Sequence, residues 1–419
     1  MSSARRVDAV VQVPGSKSVA NRALACAALA DGTSTLTNLP DGDDTVAMLD
    51  CLRSLGLGVA GGAPQATITG IGRIQPAPGA VAFAGLAGTT SRFVTALAAL
   101  SPTPVVVDGH APLRARPFGP LQDALRQLGA TVVDGDTPGG LPVTVHGPPT
   151  GGRVALPGDV SSQFVTALML IGPLLPGGLT IKLTTDLVSR PYVELTADVM
   201  GWFGVDGLTI GERLIQVPVG AYRSAEVEIE PDASSASYPL AVAALCGGQV
   251  TVAGLGSASR QGDAKFADLL AEMGCTVTWA ERSVTVERDP AVPLVGLDVD
   301  MADISDLVPT MAVVAACATT PTRIRGVGFI RAKESDRLGD LAAELGRAGV
   351  RIAETDDGLA IEPSLDALRP ATLTTHHDHR LAMAFGVLGR VVPGGLTVDD
   401  PDVVSKSWPG FWTALEAIR

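Results

Sequence analysis

The residues best suited to chemistry in this chain are cations, hydroxyls and carboxylates grouped in short motifs before apolar, helix-like segments. The first motif runs from Pro14 to Arg22 and places Ser16 and Ser18 on either side of Lys17, directly after a Pro-Gly chain break. Hydroxyl, ammonium and free backbone N–H groups at a helix start favour a bound anion. A nucleotide phosphate loop would need glycine directly before the lysine. The motif predicts an anion site, although a capped helix with an exposed lysine gives the same pattern.

Further cations stand at the predicted starts of other helices. A lysine or arginine at a helix N-terminus opposes the helix dipole, at a cost of about 0.3 kcal/mol or more unless an anion lies there. In a protein of net charge −13, such cations predict a multiply anionic ligand. We expect these helix starts to line a cleft, whereas Asp44, Ser234 and Ser235 are expected only to cap helices. The cations are Lys17, Arg22, Arg116, Lys333, Arg337, Arg380 and Lys406.

These motifs recur because the chain repeats itself. Six apolar segments return at intervals of about 70 to 74 residues, and they begin at Arg22, Arg92, Gln163, Ser237, Leu307 and Arg380. Each segment has almost no charge, so each predicts a helix that is buried all round. A second helix in each copy ends at glycine and is followed by a strand-like stretch. Three buried helices wrapped by sheets make one core, so six imply two similar α/β domains with a junction near 230–232.

Composition narrows the classes of protein. The longest uncharged run, 236–258, contains Pro239 and a Gly-Gly pair, so it predicts helix, turn and strand rather than a membrane span. The N-terminus shows no signal peptide, and five cysteines without C-x-x-C spacing indicate a reducing cytoplasm. The net charge excludes nucleic acid and anionic membranes as partners. The cluster of His376, His377 and His379 lacks further ligands, so no metal is predicted.

The motifs together resemble a known family. In chain order, PGSKSVANR, GLAGTTSRF, RARPFGPL, DVSSQF, VSRPY, DASSASY, KESDRL, DHRLAMAF and SKSWPGF are similar to the successive motifs of the EPSP synthase family. The resemblance implies two inside-out α/β domains (an alpha-beta prism), each of three βαβαββ units around buried helices. It also implies a double crossover. The first domain would comprise 1–14 and 232–419, the second 15–231, with hinges near 14–15 and 230–232.

The resemblance implies a reaction as well. The family transfers the enolpyruvyl group of phosphoenolpyruvate to the 5-hydroxyl of shikimate 3-phosphate in aromatic amino acid biosynthesis. Phosphate is released through a tetrahedral intermediate. No cofactor and a monomeric chain are expected. Asp306 would be the base, and Glu334 or Lys17 the proton donor to the methylene carbon. Shikimate 3-phosphate would be held by Lys17, Ser18, Arg22, Ser161, Ser162, Gln163, Ser189, Asp306 and Lys333. Phosphoenolpyruvate, and the inhibitor glyphosate in its place, would be held by Lys17, Gly88, Arg116, Gln163, Arg337, Arg380 and Lys406.

Two departures and two alternatives accompany this interpretation. Leu86 and Phe329 stand where many members carry polar side chains, so altered affinity is expected rather than lost chemistry. One alternative is the sister enolpyruvyl transferase that acts on UDP-N-acetylglucosamine. That family usually carries a reactive cysteine or aspartate in one loop, and the corresponding loop of this chain, 108–117, has neither at the matching place. The other is a non-catalytic repeat protein that binds phosphorylated metabolites. The intact set of Lys17, Asp306 and Glu334 argues against it.

Overall fold

The fold consists of short α/β repeats. The structure, a computed structural model, describes residues 6–419. Its helices are α1 (Lys17–Leu29), α2 (Asp43–Ser54), α3 (Gly88–Ala98), α4 (Ala111–Arg114), α5 (Gly119–Gln127), α6 (Ser162–Ile171), α7 (Arg190–Trp202), α8 (Ala233–Cys246), α9 (Phe266–Glu272), α10 (Val308–Ala315), α11 (Gly339–Arg347), α12 (His379–Gly389) and α13 (Phe411–Ala417). Short 3₁₀ helices span Gly172–Leu174, Gly262–Lys265, Ala302–Leu307, Gly328–Ala332 and Pro401–Lys406.

The strands are equally short. They are β1 (Val7–Val11), β2 (Asp31–Thr37), β3 (Gly58–Gly62), β4 (Gln65–Ile71), β5 (Val81–Phe83), β6 (Val105–Asp108), β7 (Thr131–Asp134), β8 (Val143–His146), β9 (Gly152–Leu156), β10 (Leu179–Leu183), β11 (Thr209–Ile210), β12 (Leu214–Val217), β13 (Glu226–Glu228), β14 (Gly248–Ala253), β15 (Thr276–Ala280), β16 (Ser283–Arg288), β17 (Asp298–Asp300), β18 (Thr322–Arg325), β19 (Arg351–Glu354), β20 (Leu359–Glu362), β21 (Ala371–Leu373) and β22 (Leu396–Val398).

One sheet topology recurs along the chain. In the sheet β5-β6-β8-β7, strands β5 and β6 are parallel and flank α3, and α5 leads to the antiparallel hairpin of β7 and β8. The sheets β17-β18-β20-β19 and β9-β10-β12-β11 follow the same order, and the last sheet contains β21 and β22. A helix between two parallel strands and a hairpin after the next helix make the βαβαββ unit, as the repeats in the sequence predict.

The described chain divides into two compact units. The contiguous unit is Gly15–Ile229, and the split unit joins the residues up to Pro14 with Glu230–Arg419. The chain therefore passes back into the split unit after Ile229, whereas the sequence-based domain boundary lies after residue 231. The core of the contiguous unit contains α1, α3 and α6, and that of the split unit contains α8, α10 and α12. These are the uncharged helices of the repeat, and every residue of α8 is buried.

Two strands are exchanged along the sequence. Strand β1 pairs in parallel with β14 in the split unit, with Val7 opposite Gly248. Strand β13 pairs in parallel with β2 in the contiguous unit, with Glu226 opposite Thr35. Each unit therefore contains a strand that is separated from its neighbours by the length of the contiguous unit.

The two chain crossings are fixed at Asn38 in the contiguous unit. A Cβ on Gly15 would lie 1.9 Å from the carbonyl oxygen of Asn38, so only glycine allows this close approach. The Asn38 side chain donates a hydrogen bond to the Ile229 carbonyl at 2.7 Å. One residue thus contacts the chain where it enters the unit and where it leaves.

Several cations were expected at the starts of the second helices, but the structure places them elsewhere. Arg116 lies between α4 and α5, and Lys406 ends a 3₁₀ helix before α13. Lys333 to Arg337 form an irregular segment before α11. The Asp336 carboxylate accepts hydrogen bonds from the backbone N–H groups of Leu338 and Gly339, and this local turn competes with helix until Gly339. In the described chain, residues 6–419, no helix has the length and apolar character that a membrane crossing requires.

Candidate active site

Arg22 connects the buried helices of the contiguous unit. It lies in the second turn of α1, not at the helix start. It donates to Thr196 Oγ1 and the Tyr192 carbonyl on α7 at 2.9 and 3.0 Å, to Thr166 Oγ1 on α6 at 3.5 Å, and to the Ser18 carbonyl at 2.8 Å. Burial lowers the pKa of Arg22 to about 10, which leaves it charged at neutral pH. Arg22 therefore fixes three helix starts relative to one another.

The predicted serines lie at those helix starts. Ser161 caps α6, and its hydroxyl accepts the Gln163 N–H at 3.3 Å, while Ser162 is the first residue of the helix. Ser189 precedes α7 with a φ of 53°, in the left-handed region. Ser18 is the second residue of α1. Hydroxyls and free N–H groups at three linked helix starts form an environment suited to an anion.

Gln163 is oriented by a buried arginine. Arg92 on α3 donates to Gln163 Oε1 at 2.6 Å, and Gln163 Nε2 donates to Thr89 Oγ1 at 3.1 Å. The Arg92 guanidinium lies 5.0 Å from the Phe118 ring centroid and 5.3 Å from that of Phe164. This cation–π contact holds the guanidinium on an apolar support, so the amide of Gln163 has a defined orientation.

Gly88 and Arg116 are brought together at the start of α3. A Cβ on Gly88 would lie 2.6 Å from Arg116 Nη1 and 3.0 Å from Arg92 Nη1. The missing side chain at this helix start therefore leaves room for the Arg116 guanidinium. Two residues that the resemblance assigns to phosphoenolpyruvate are neighbours.

Lys17 contacts a carboxylate of its own unit. Its Nζ lies 3.0 Å from Asp44 Oδ2, and the Asp44 side chain is 4% exposed. The prediction that Asp44 only caps α2 is wrong, because Gly42 is the capping residue and Asp44 lies in the first turn of that helix. The acid holds the ammonium beside α1.

Arg337 organises the split unit. Its Nη1 donates to Asp306 Oδ1 at 2.9 Å, its Nη2 donates to Glu334 Oε2 at 2.8 Å, and its Nε donates to Asp378 Oδ2 at 2.6 Å. Burial alone would lower the pKa of Arg337, but the charges of Asp378, Glu334 and Asp306 outweigh burial and raise it. One permanently charged guanidinium thus joins the predicted base to the predicted acid.

Two further cations contact the same carboxylates. Arg380 Nη2 donates to Asp306 Oδ2 at 2.7 Å, and Lys406 Nζ donates to Glu334 Oε1 at 2.9 Å. The sequence predicts an anionic ligand that balances the cations. The structure instead pairs these two, like Arg337, with carboxylates of the chain itself. Such pairing offsets the cost of burying each charge.

Asp306 is held in its ionised form. Burial would raise its pKa, but the charges of Arg380, Lys333 and Arg337 outweigh burial and bring the pKa well below its usual range. The residue lies in the 3₁₀ helix before α10, in which Ile304 departs from helical geometry with a φ of −128°. That irregular turn sets the position of Asp306 relative to α10.

The two departures from the family motifs have distinct surroundings. Phe329 is half-buried, and Lys333 Nζ lies 5.8 Å from its ring centroid, within cation–π range. Leu86 is 40% exposed, two residues before α3. Phe329 therefore supports Lys333 through its ring face instead of offering a polar group.

The histidines near α12 make contacts within the protein. His376 Nε2 lies 3.4 Å from Glu344 Oε1, and its Nδ1 lies 3.6 Å from Asp340 Oδ1. His379 is the first residue of α12 and is buried. Among residues 6–419, no group of three or more His, Cys, Asp or Glu side chains is arranged to hold a metal ion.

Three residues that orient the others were not predicted to do so from the sequence: Asp44, Arg92 and Asp378. A signal existed for Arg92, because the repeat aligns it with Arg22 and Arg380. Asp44 and Asp378 act through tertiary ion pairs that no local pattern reveals. In the split unit Arg337 joins the predicted residues Asp306 and Glu334, and in the contiguous unit Arg22 joins α1 to α6 and α7.

Comparison with known proteins points to the family that the sequence motifs resemble, and it does so along almost the whole chain. A family model described as EPSP synthase (3-phosphoshikimate 1-carboxyvinyltransferase) matches residues 1–415. A protein named 3-phosphoshikimate 1-carboxyvinyltransferase from Methanoculleus marisnigri is 41% identical over 411 residues, which cover 98% of this chain and 96% of that protein. A relative of the same name from Nostoc sp. is 40% identical over 413 residues, with coverage of 98% and 96%.

Solved structures share the fold. EPSP synthase from Acinetobacter baumannii superposes with a TM-score of 0.82 at 25% identity, covering 99% of this chain and 96% of that one. The enolpyruvyl transferase NikO from Streptomyces tendae, at 21% identity and a TM-score of 0.78, covers 99% and 95% and shows the fold alone. The expected α/β fold is confirmed. Matched by the family model from residue 1 to 415, and by relatives about 40% identical along almost their whole length, this chain belongs to the EPSP synthase, or 3-phosphoshikimate 1-carboxyvinyltransferase, family.

Proposed function

We propose that this protein transfers the enolpyruvyl group of phosphoenolpyruvate to the 5-hydroxyl of shikimate 3-phosphate and releases inorganic phosphate. The observation that carries the proposal is the Arg337 guanidinium, which donates to both Asp306 and Glu334. Addition needs a base for the hydroxyl proton and an acid for the methylene carbon, and both must be held in fixed positions. Family membership supports the same reaction.

In the addition step, the 5-oxygen forms a bond to C2 of phosphoenolpyruvate while the methylene carbon gains a proton. A tetrahedral intermediate results. In the elimination step, the C–O bond to phosphate breaks and the new methyl group returns a proton to the residue that donated it, which restores the double bond. The departing phosphate takes up the proton that the base received from the hydroxyl. Asp306 takes the hydroxyl proton, and Glu334 delivers the proton to carbon, with Lys17 as the alternative donor. Cations fixed around the reacting centre stabilise the charge that develops.

The low pKa of Asp306 has a consequence for this chemistry. A carboxylate that Arg337 and Arg380 both contact is a weak proton acceptor. Phosphate and carboxylate groups of the substrates would share these cations, and a phosphate alone adds about −1.5 to −2 charge. Loss of cationic field raises the proton affinity of a carboxylate. Substrate binding would therefore make Asp306 a better base when the hydroxyl proton must leave.

The remaining residues are proposed as ligands in two sets. The starts of α1, α6 and α7 provide hydroxyls and Lys17 for shikimate 3-phosphate, supported by Arg22, which links these helices. With these we place Asp306 and Lys333. Phosphoenolpyruvate is bound by Gly88, Arg116, Arg337, Arg380 and Lys406. Lys17 and Gln163 serve both substrates. We propose that the contiguous and split units are the two domains of the family.

We also propose that the protein works as a cytoplasmic monomer. All residues assigned to the two substrates belong to one chain. The five cysteines are free thiols, which a reducing compartment maintains.

The test is a phosphate-release assay with phosphoenolpyruvate and either shikimate 3-phosphate or UDP-N-acetylglucosamine as acceptor. We expect phosphate release when shikimate 3-phosphate is the acceptor and none when UDP-N-acetylglucosamine is the acceptor. The Asp306→Ala variant, purified in the same way, should release no phosphate with either acceptor. Unphosphorylated shikimate is the control for recognition of the phosphate. Turnover with UDP-N-acetylglucosamine instead, or none with either acceptor, would overturn the proposal.

A further inference from the structure

Asp263 is a buried acid of the split unit to which the proposed mechanism gives no role. It lies in the 3₁₀ helix Gly262–Lys265 and is 3% exposed. The helix is anchored by Gln261, the residue directly before it. Gln261 Nε2 donates to the Pro231 carbonyl at 2.8 Å, and Gln261 Oε1 accepts the Ala233 N–H at 3.1 Å. Asp263 is therefore fixed against the start of α8.

A serine joins Asp263 to the proposed reaction centre. The Ser234 hydroxyl donates a hydrogen bond to Asp263 Oδ2, and Arg380 Nη2 lies 3.5 Å from the same hydroxyl oxygen. That Nη2 also donates to Asp306 Oδ2 at 2.7 Å. The expectation that Ser234 only caps α8 is wrong, because Asp232 caps this helix by accepting the Ser235 N–H.

We propose that Asp263 is a positioning residue, which acts through the Ser234 hydroxyl to hold the Arg380 guanidinium against Asp306. With its proton donated to Asp263, the Ser234 hydroxyl presents its oxygen lone pairs to Arg380. The guanidinium then has one anchor on α8 in addition to the carboxylate of the base. This inference rests on the proposed function, since it concerns how Arg380 and Asp306 are held for that reaction.

The charge state of Asp263 decides whether this arrangement forms. Only the ionised carboxylate requires the Ser234 proton, whereas a protonated Asp263 can itself donate to the serine oxygen and compete with Arg380. The groups that act on Asp263 include Asp306 from the 3₁₀ helix before α10, Arg380 from α12, and Ser234 and Asp232 at the start of α8. Burial raises the pKa of Asp263 to about 6, with a further contribution from Asp306, while Arg380 and Ser234 oppose it. The arrangement is thus complete at neutral pH and is lost as pH falls through about 6.

The experiment compares kcat and KM of the wild-type chain with those of Asp263→Asn and Ser234→Ala between about pH 5 and 8. The matched control is Asp366→Asn, which removes an exposed carboxylate paired with Arg351 in the same unit. At about pH 7.5 each variant should lower kcat/KM for phosphoenolpyruvate about tenfold, the order expected for a charge-assisted hydrogen bond. KM for shikimate 3-phosphate should change less. The control should match the wild type.

The decisive readout is the ratio of wild-type to variant kcat/KM at each pH. The second ionisation of a phosphate, near pH 6, cancels in this ratio because both proteins use the same substrate. For both variants the ratio should fall towards one below about pH 6, where the wild type also loses the arrangement. A purely structural role would give a ratio that does not change with pH.

Each outcome of this experiment either supports or overturns the positioning role of Asp263. A ratio that is constant with pH, or a Ser234→Ala protein within twofold of the wild type throughout, overturns the role of Asp263. If Asp263→Asn does not fold, Ser234→Ala carries the test, since it removes the bridge and keeps the charge. If the wild type turns over shikimate 3-phosphate and kcat/KM of both variants is unchanged, the role of Asp263 is contradicted but the proposed function is not. Absence of wild-type turnover with shikimate 3-phosphate would overturn the proposed function and this inference together.

Discussion

Lys17 contacts an acid that is itself buried, so its ammonium serves the fold as well as the proposed reaction. The Asp44 side chain is 4% exposed and lies 3.0 Å from the Lys17 ammonium. A buried carboxylate that loses its cation destabilises a protein by several kcal/mol in many cases. A variant at Lys17 will therefore mix an effect on stability with an effect on chemistry unless Asp44 is changed as well.

We expect Lys17→Met to lower turnover about a hundredfold, since a charge-assisted hydrogen bond contributes about 1.5–3 kcal/mol. Its unfolding temperature should also fall, because Asp44 loses the cation that it contacts. In the double variant Lys17→Met with Asp44→Asn, the unfolding temperature should recover while turnover stays low. Phosphate release and thermal unfolding measure the two effects separately. Near-normal turnover in a folded Lys17→Met protein would refute the assignment of Lys17.

Asp306→Ala should abolish turnover and leave shikimate 3-phosphate bound. The fold should persist because Arg337 keeps its contacts with Glu334 and Asp378. Titration calorimetry measures binding, and phosphate release measures turnover. Asp303→Ala, in the same 3₁₀ helix, is the matched control and should retain both. If binding is lost as completely as activity, Asp306 positions the substrate and is not the base.

Asp263 should make the protein less stable at neutral pH than in mild acid. Its pKa is about 6 in the folded protein against an ordinary 3.8. Between these values the folded state binds more protons than the unfolded state, so stability falls as pH rises through this window. Asp263→Asn should therefore raise the unfolding free energy at about pH 7.5, by up to about 3 kcal/mol. The gain should vanish below about pH 4.

Urea unfolding at both pH values measures this difference. The neutral side chain of Asn keeps the shape of Asp263, so packing should change little. A variant less stable than the wild type at about pH 7.5 would show that the Ser234 hydrogen bond outweighs the burial of charge.

At the scale of elements, the sequence predicts the buried helices well and the segments between them poorly. Helix α8 is recognisable because its sequence has no charge, and all its residues are buried. The irregular turn at 333–338 was not predictable, since hydrogen bonds from backbone N–H groups to the Asp336 carboxylate compete there with helix formation. Ion pairs such as that of Arg337 with Asp378 depend on the packing of distant elements. The residues of the candidate site were therefore predictable from motifs, but their partners were not.

The start of α3 is the element most sensitive to a small change. Gly88→Ala should raise KM for phosphoenolpyruvate and weaken glyphosate binding still more, because the added methyl group would lie 2.6 Å from Arg116 Nη1. The guanidinium is the flexible end of a side chain and can move, so the fold should be preserved.

The matched control is Gly346→Ala in α11, where an added Cβ meets no atom within 4 Å. This control should be slightly more stable than the wild type, since alanine is the better helix residue. Steady-state kinetics and inhibition constants for both variants give the answer. Unchanged constants in Gly88→Ala would place the phosphoenolpyruvate site elsewhere.

At the scale of the whole molecule, the residues proposed for shikimate 3-phosphate come from both units. Binding to the folded state stabilises it by about 2.7 kcal/mol at a ligand concentration one hundred times Kd. Amide hydrogen exchange should therefore slow on adding this ligand at the starts of α6 and α7 and also in the segment 302–307. Exchange measured by mass spectrometry, with unphosphorylated shikimate as the control, reports each unit separately. Protection confined to one unit would contradict the assignments made in the other.

The pairing of β1 with a strand far along the chain also matters during synthesis. Strand β1 leaves the ribosome before its partner β14, which follows only after the whole contiguous unit has been synthesised. At about 5–20 residues per second, the wait lasts roughly 10–50 s. The contiguous unit can form its core during that time, whereas β1 remains an unpaired segment in which four of five residues are apolar, the kind of segment that invites pairing with other chains. The charge of Asp8, the second residue of this strand, opposes such pairing until the split unit receives it.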